Sequence, residues 1–535
     1  MVAIDDVGTR AMAVEYVIVG SGVNALVAAA LLGKKGKRVL VLERNDRIGG
    51  CIRTEEITAP GFVHDVMATT FVLFVTSPAY AALSNDLAAR GLEFAHSPLP
   101  TGVLLPDGRH HVFSRDRARN IAAFEELSQG DGARYRADME RLGTDAPFLF
   151  SLLGGSLWSW GMLKAVARET FKRGPRGLAA FFGEALVTAR AWLEQRYSAP
   201  LFHALWAPWV LHAGLGPESA YSGQMAKVIA FSLEAAGAPI VKGGAIKLLQ
   251  AFEALIREHG GEIRTSADVA AILLDEKGVA CGVELADGSK IAAARGVLCS
   301  VTPSQLYERL LPASLRPDVS EHLAGYRYGK GDMQIHYALK APPRWPVAEL
   351  GQVALLHLTP GLDGVSKAAN EAERGMLPAE PTICVGQPTA LDPSRAPEGA
   401  AILWLQLPEA PRIIRGDAAG EIAAPADGRW TEEIRERFAD RVEARLAGHI
   451  DGFKDLVVAR KVYSPADLER LNINIVGGDP YGGFCGIDQF FLWRPFPGSI
   501  NHKTAIPGLY HIGASTHPGP GLGGGSGFLA AKAIG

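Results

Sequence analysis

The sequence predicts an α/β protein, α+β in overall content, built around a parallel sheet, and three observations predict it. A strand, glycine turn, helix and strand follow one another from Glu15 to Thr54. An amphipathic helix and a strand meander fill Lys242 to Ser300. A strand, a proline and glycine loop and a helix run from Gly508 to Ile534. Two long interruptions separate these blocks, so a second domain must be assembled from discontinuous segments.

Tyr16 to Val19 is a short apolar run suited to a buried parallel strand. Gly20-Ser21-Gly22 lets the backbone turn tightly and approach a pyrophosphate without Cβ clashes. Val23, Asn24 and Ala25 open a helix, with Ala25 where a third glycine often stands, and helix formers continue to Leu32 before Gly36 closes it. The free N–H groups and positive dipole end of that helix face the phosphates. Arg38 to Leu42 form the second strand. Glu43 follows, 23 residues after Gly20, where a carboxylate can accept hydrogen bonds from ribose hydroxyls. The order of strand, turn, helix, strand and acid marks a Rossmann-like dinucleotide-binding unit.

Two further features select FAD as the dinucleotide. Arg44 and the Gly49-Gly50 pair follow the acid, giving bare backbone along which a long cofactor can lie, a feature a nicotinamide site does not need. The closing block can set the N–H groups of a second helix N-terminus against the electron-rich edge of a reduced isoalloxazine.

In the middle block, Gly243 and Gly244 precede a helix with Leu248, Leu249, Phe252, Leu255 and Ile256 at helical spacing, and Gly260-Gly261 stops it. Runs at Val269 to Leu274, Val279 to Leu285 and Ser289 to Ala293 are broken by Lys277-Gly278 and Asp287-Gly288, both hairpin signals.

Taken together, these blocks resemble the phytoene desaturase-like branch of the FAD-dependent amine oxidase superfamily. That branch includes carotenoid desaturases and isomerases, desaturase-type β-carotene ketolases and a mitochondrial protein resembling pyridine-nucleotide-disulfide oxidoreductases. Pro60-Gly61-Phe62-Val63-His64-Asp65 looks like the family's substrate-side strand. The resemblance implies an FAD-binding domain from 14–80, 238–305 and 500–535, and a substrate domain from 81–237 and 306–499 with a mixed sheet and a helical lid. It further implies that Val269 offers backbone hydrogen bonds to the adenine and that Val297 to Ser300 return to the parallel sheet. Met67, Ala68 and Thr69, with Gly513, Ala514, His517, Pro518, Gly523 and Gly524, should border the flavin. Two positions depart from the wider superfamily: Cys51 stands where many relatives have arginine, and Ala514 where many have an acid reaching the ribityl chain. Both alter single contacts and leave the glycine framework intact.

Composition fits a large enzyme. With 535 residues, 48% of them apolar, there is material for two cores. A net charge of -3 supplies no basic field, and no motif for nucleic acid appears. Five cysteines without a CxxC pair fit a reducing cytoplasm and argue against disulfides or a zinc site, so no metal is expected. The first thirteen residues, with Asp5 and Asp6, read as a frayed tail and not as a secretory signal.

The first interruption is mainly helical in pattern and rich in Phe148, Phe150, Leu152, Leu153, Leu157, Trp158, Trp160, Met162 and Leu163, followed by Lys164, Arg168, Lys172, Arg173 and Arg176. Ala146 to Leu163 approaches the length of a membrane span, but Pro147, Gly154-Gly155 and three serines interrupt it, which favours a helical lid. Such a lid can dip into an anionic bilayer surface and admit a lipophilic substrate, or simply pack over a tunnel or against another subunit.

A flavin enzyme needs few ionisable residues, because its protein mainly positions a C–H bond and excludes water. His517 is the nearest polar candidate for acid, base or flavin hydrogen bond, or else it braces its turn. Asp488 and Trp493, in the glycine and aromatic segment Gly477 to Gly498, are further catalytic candidates. Cys485 faintly suggests a covalent flavin link, although burial as a small residue explains it better. His64 and Asp65 form a possible polar pair whose side chains alternate across the strand.

No second glycine-turn unit exists for NAD(P)H, so oxygen, a quinone or another diffusible acceptor should reoxidise the flavin. The leading expectation is hydride removal from a hydrophobic substrate, as in carbon–carbon desaturation. Double-bond isomerisation, amine oxidation and nonenzymatic lipid binding, as in the related GDP-dissociation inhibitors, are the alternatives.

Overall fold

A computed structural model describes residues 14–312 and 317–535. The tail expected over residues 1–13 lies outside the described residues. Five strands form a parallel sheet in the order Leu509–Ile512, Gly296–Ser300, Tyr16–Val19, Val39–Leu42 and Glu262–Arg264. Tyr16 is in register with Val39 on one side and Gly296 on the other. Every residue of Tyr16–Val19 and Val39–Leu42 is buried, as strands covered on both faces require. Tyr16, Ile18, Val39 and Val41 face the helices Val23–Lys34, Ile246–Glu258 and Gly525–Ile534. Val17, Val19, Leu40 and Leu42 face the antiparallel meander Val269–Leu274, Ala280–Leu285 and Lys290–Ala292.

Because all five strands run the same way, Gly20, Glu43, Ser300 and Gly513 follow or end strands on one edge of the sheet. Successive strands leave Tyr16–Val19 in opposite directions, and the crevice at such a switch point is where nucleotides bind in doubly wound sheets. The closing helix seals this unit. A Cβ on Gly527 would lie 1.8 Å from the Asn24 carbonyl oxygen, so only glycine permits that approach.

Packing carries this unit past the boundaries expected at residues 80 and 305. The helix Pro78–Ala88 crosses the first, burying Leu83 and Leu87 in the nucleotide unit's core together with Leu92. Leu306, Tyr307 and Leu310, on the helical turns Ser304–Leu310, pack against the meander side.

A second sheet of seven strands is mixed: Thr101–Leu104 and Leu355–Leu358 are parallel, and all other neighbours are antiparallel. Its back buries Met333, Ile335, Tyr337, Leu403, Leu405 and Leu407 against Phe438 and Val442 of the helix Glu432–Ala447. Its front lies under a helical cap whose core includes Phe113, Phe124, Tyr135, Phe202 and Trp206.

The expected lid is a pair of long helices, Asp131–Gly154 and Trp160–Ala185, separated by a short turn. Phe148 and Phe181 pack across the pair with centroids 5.5 Å apart, and Arg173 binds both Asp145 and Glu169. Arg173 therefore belongs to the interior of the lid, unlike the rest of the basic cluster. Among the described residues, no helix is long and apolar enough to cross a membrane.

Candidate flavin site

Gly22 caps the helix Val23–Lys34, and the space into which its Cβ would project is empty to 4 Å. A phosphate can therefore reach the helix N-terminus. Gly20 adopts φ +89°, and a Cβ there would meet the Ser300 carbonyl oxygen at 3.0 Å. Gly49 forms a parallel bridge to Gly22, and a Cβ on Gly50 would lie 3.1 Å from the Gly22 Cα. The two glycine segments therefore lie side by side at the switch point.

Glu43 is buried at the end of its strand. Its Oε2 accepts from the Ser21 backbone N–H at 3.1 Å and from the Ser21 hydroxyl at 2.6 Å, while Oε1 accepts from the Asn45 N–H at 2.9 Å. Ser21 Oγ in turn accepts from the Gly49 N–H, which locks the two glycine segments to the acid. Val23 and Ala25 are buried in the sheet-facing side of the helix, whereas Arg44 is exposed. Asn24 Oδ1 accepts from the Gly527 N–H at 3.2 Å, joining this cradle to the closing helix.

Val269 comes to the same edge. The backbone before it runs beside the acid, Ala267 donating to the Glu43 carbonyl at 2.8 Å and Ser266 to that of Asn45 at 2.7 Å. The Val269 carbonyl accepts from Arg309 at 2.9 Å.

The tail of the substrate-side strand His64–Met67 is held under tension. Met67 has φ +75°, unfavourable for a side chain with a Cβ, and Gln334 fixes it by accepting from its N–H at 2.8 Å and donating to its carbonyl at 3.1 Å. Ala68 donates to the Cys51 carbonyl. Among the described residues, the buried Thr69 hydroxyl has no partner. His64 bonds to Thr58 and packs edge-on to His336, while Asp65 binds Thr54, the Ala245 N–H and Arg395. The possible His64–Asp65 pair is thus divided between separate networks.

The closing loop meets the same edge. Gly513 has φ +109°, its N–H donates to Ser526 Oγ, and a Cβ there would lie 3.4 Å from Ser300 Oγ. The Ala514 carbonyl accepts two hydrogen bonds from the buried Arg494, at 3.0 and 2.8 Å, and Arg494 also donates to Tyr481 and Phe484. Gly523 and Gly524 lie against Leu73 and Val27, and Pro518 packs against Gly525.

His517 is 6% exposed. Its Nε2 donates to the Gly155 carbonyl in the lid turn at 2.8 Å, and Nδ1 is buried with no partner among the described residues. Burial pushes the ring's pKa down to about 4, so at neutral pH it is an uncharged group with an acceptor nitrogen to offer. The histidine thus braces the lid turn.

The other two catalytic candidates lie elsewhere. Asp488 forms an ion pair with Arg327 and its side chain is 64% exposed; Trp493 is 42% exposed. Neither position suits chemistry in a water-excluded cavity, because the helical turns after Gly486 and Phe490 face solvent there. Phe490 and Phe491, in contrast, pack around Tyr221. Cys485 is buried, with burial raising its thiol to about 11, and its sulfur contacts the Gly483 carbonyl.

Sequence reasoning missed Asp332. It is 2% exposed; Oδ2 accepts from Gln334 at 3.3 Å and from Gln406 at 3.1 Å, and Oδ1 has no partner among the described residues. Burial raises its pKa to about 7 against those two amide donors, a value suited to holding or moving a proton. The available signal was polar residues at alternate positions, Asp332, Gln334 and His336, within an apolar strand. Arg494 carried no comparable signal.

The cradle open at Gly22 and the acid beside it fit a dinucleotide, and the buried Thr69 hydroxyl, unpartnered among the described residues, is a polar group free to meet a ligand. Comparisons with known proteins point to a flavin. The family model for flavin containing amine oxidoreductases matches residues 26–446. Pyridine nucleotide-disulfide oxidoreductase domain-containing protein 2 of Mus musculus is 28% identical, covering 97% of this chain and 93% of its own. A phytoene desaturase (neurosporene-forming) of Rhodobacter capsulatus is 24% identical, with 97% and 93% covered. The solved structure of putrescine oxidase bound to putrescine shares the fold, with a TM-score of 0.60 at 16% identity, covering 98% of this chain and 99% of that one.

Proposed function

We propose, for a chain that belongs to the flavin containing amine oxidoreductase family, that it binds FAD along the carboxyl edge of its parallel sheet and oxidises a hydrophobic substrate at a C–H bond. The observation that carries this reading is the meeting of three distant glycine segments and Glu43 at one crevice, beside a cap whose interior is aromatic. When bound, the flavin supplies the hydride acceptor. The chain's own residues do the rest. The Gly20–Gly22 turn and its helix bind phosphate, and Glu43 orients a ribose. Met67, Thr69 and the loop around Ser515 to Pro518 border the reacting region, and the cap excludes water. His517 offers an uncharged acceptor nitrogen, and Asp332 is able to hold a proton. Oxygen, a quinone or another diffusible acceptor completes the cycle.

The outer side of the lid supports a membrane-facing role. Trp160, Leu163 and Phe171 recur along one face of their helix and are 78%, 56% and 95% exposed. Lys164, Arg168 and Lys172 share that exposed face, with Arg176 just beyond the irregular Gly174. Aromatic rings interleaved with long cations suit the headgroup layer of an anionic bilayer, from which a lipophilic substrate would be drawn.

Purification followed by cofactor release and anaerobic reduction tests the main reading. The protein should be yellow, release FAD, and bleach with a member of a panel of lipophilic alkenes, cyclic ketones and amines. Bleaching by amines alone favours amine oxidation, and conversion of an alkene without consumption of an acceptor favours isomerisation. A colourless protein that takes up no FAD overturns the proposal.

A further inference from the structure

The front of the mixed sheet carries a polar row in register across four strands: His357 faces Cys384, Cys384 faces Gln406, and Gln406 faces Gln334. At the His357 end, His212 comes down from the helical turn Pro208–Ala213, and the two Nε2 atoms are 3.0 Å apart. One ligand atom from each of His212, His357 and Cys384 lies within 4.8 Å of the others. His357 and Cys384 are buried. Among the described residues, His357 Nδ1 has no hydrogen-bond partner. Two buried polar side chains and the half-buried His212 therefore share one hydrogen bond, and the His357 Nδ1 is left unsatisfied, a costly position for a buried nitrogen.

We propose that His212, His357 and Cys384 form a binding site for a divalent cation of the zinc class beneath the helical cap. Two imidazoles and a thiolate are the donor set such an ion prefers, and three protein ligands leave one coordination position open. Metal–nitrogen bonds of about 2.0–2.1 Å at tetrahedral angles hold two nitrogens about 3.4 Å apart. The rings thus need to part by only a few tenths of an ångström. Trp209 packs against both rings, 4.7 Å from His212 and 5.1 Å from His357 by centroid, and fixes their planes. Coordination replaces the thiol proton, so one proton leaves as each ion binds. The site then carries one net positive charge. Sequence spacing gave no hint, because the ligands lie on three separated segments and the histidines alone are 145 residues apart.

The test is titration of the purified, chelator-stripped protein with Co²⁺ and then Zn²⁺, following difference spectra and bound metal by elemental analysis. The expected result is one ion per chain, a sulfur-to-cobalt charge-transfer band, displacement by Zn²⁺, loss of the band in Cys384→Ser and at least tenfold weaker binding in His212→Gln. Circular dichroism reports folding whether or not flavin is present, so failure here is separable from failure of the flavin reading. If Cys384→Ser does not fold, X-ray absorption of the wild-type complex decides between sulfur-and-nitrogen coordination and oxygen-only coordination. Absence of saturable binding to folded wild-type protein, a band that survives in Cys384→Ser, or oxygen-only coordination overturns the proposal and leaves a hydrogen-bonded histidine pair.

Discussion

Asp65 and Arg395 are both fully buried and 3.0 Å apart, and they join the substrate-side strand to the turn before Ala401. Removing one partner strands the other charge in a low-dielectric core. Arg395→Ala should therefore destabilise the fold by about 3–5 kcal/mol, read by denaturant unfolding, whereas a loss below 1 kcal/mol would contradict the pairing. Asp332 invites a functional test. With its carboxyl near pH 7, Asp332→Asn should remove a limb close to that pH from the profile of substrate-driven flavin reduction, with KM changed less than kcat. An unaltered profile would assign Asp332 a structural role only. At this scale the sequence revealed Gly20, Gly22 and Glu43, because their chemistry depends on local backbone and fixed spacing. It concealed Asp332, whose character arises from burial and from Gln406, 74 residues away on the neighbouring strand, together with Gln334 two residues along its own.

Among the elements, the closing helix and the lid depend on single contacts. Gly527→Ala would drive a methyl into the Asn24 carbonyl, so the helices Gly525–Ile534 and Val23–Lys34 must separate. The expected cost is about 1–3 kcal/mol together with weaker FAD retention, measured by unfolding and by equilibrium dialysis. In the lid, replacing Trp160, Leu163 and Phe171 together by serine should abolish sedimentation with anionic vesicles and leave the melting temperature nearly unchanged, since those side chains contribute little to the interior. Equal binding to neutral and anionic vesicles would remove the role given to Lys164, Arg168, Lys172 and Arg176. Periodicity and turn residues made most helices and the meander legible. They did not place Thr101–Leu104 and His110–Phe113, a hairpin in the interruption read as mainly helical, whose first strand pairs with Leu355–Leu358 more than two hundred residues later.

The whole molecule buries many neutral imidazoles. Burial lowers His111, His502, His511 and His517 to about 4 and His64 to about 3, all from a usual 6.5. The unfolded chain binds those protons more readily. Their contribution to stability is thus complete above about pH 6.5 and is lost as pH falls towards 4. Asp332 and Glu409, raised by burial to about 7 and about 8, act in the opposite sense, their contribution fading as pH rises through those values. The histidines are more numerous, so the melting temperature should fall steeply between pH 6.5 and 4; a flat profile over that interval would count against neutral burial.

By itself the sequence determined the α/β class, the glycine turn, the acid after the second strand and the glycine segments that meet at the edge of the parallel sheet, since each is encoded by neighbouring residues through steric freedom, periodicity or hydrogen-bonding reach. Only the tertiary structure decided that His517 braces the lid, that Asp488 and Trp493 face solvent, that Asp332 is buried, and that His212, His357 and Cys384 come together. Burial, desolvation and cross-strand register belong to contacts between distant segments, and no local pattern specifies them.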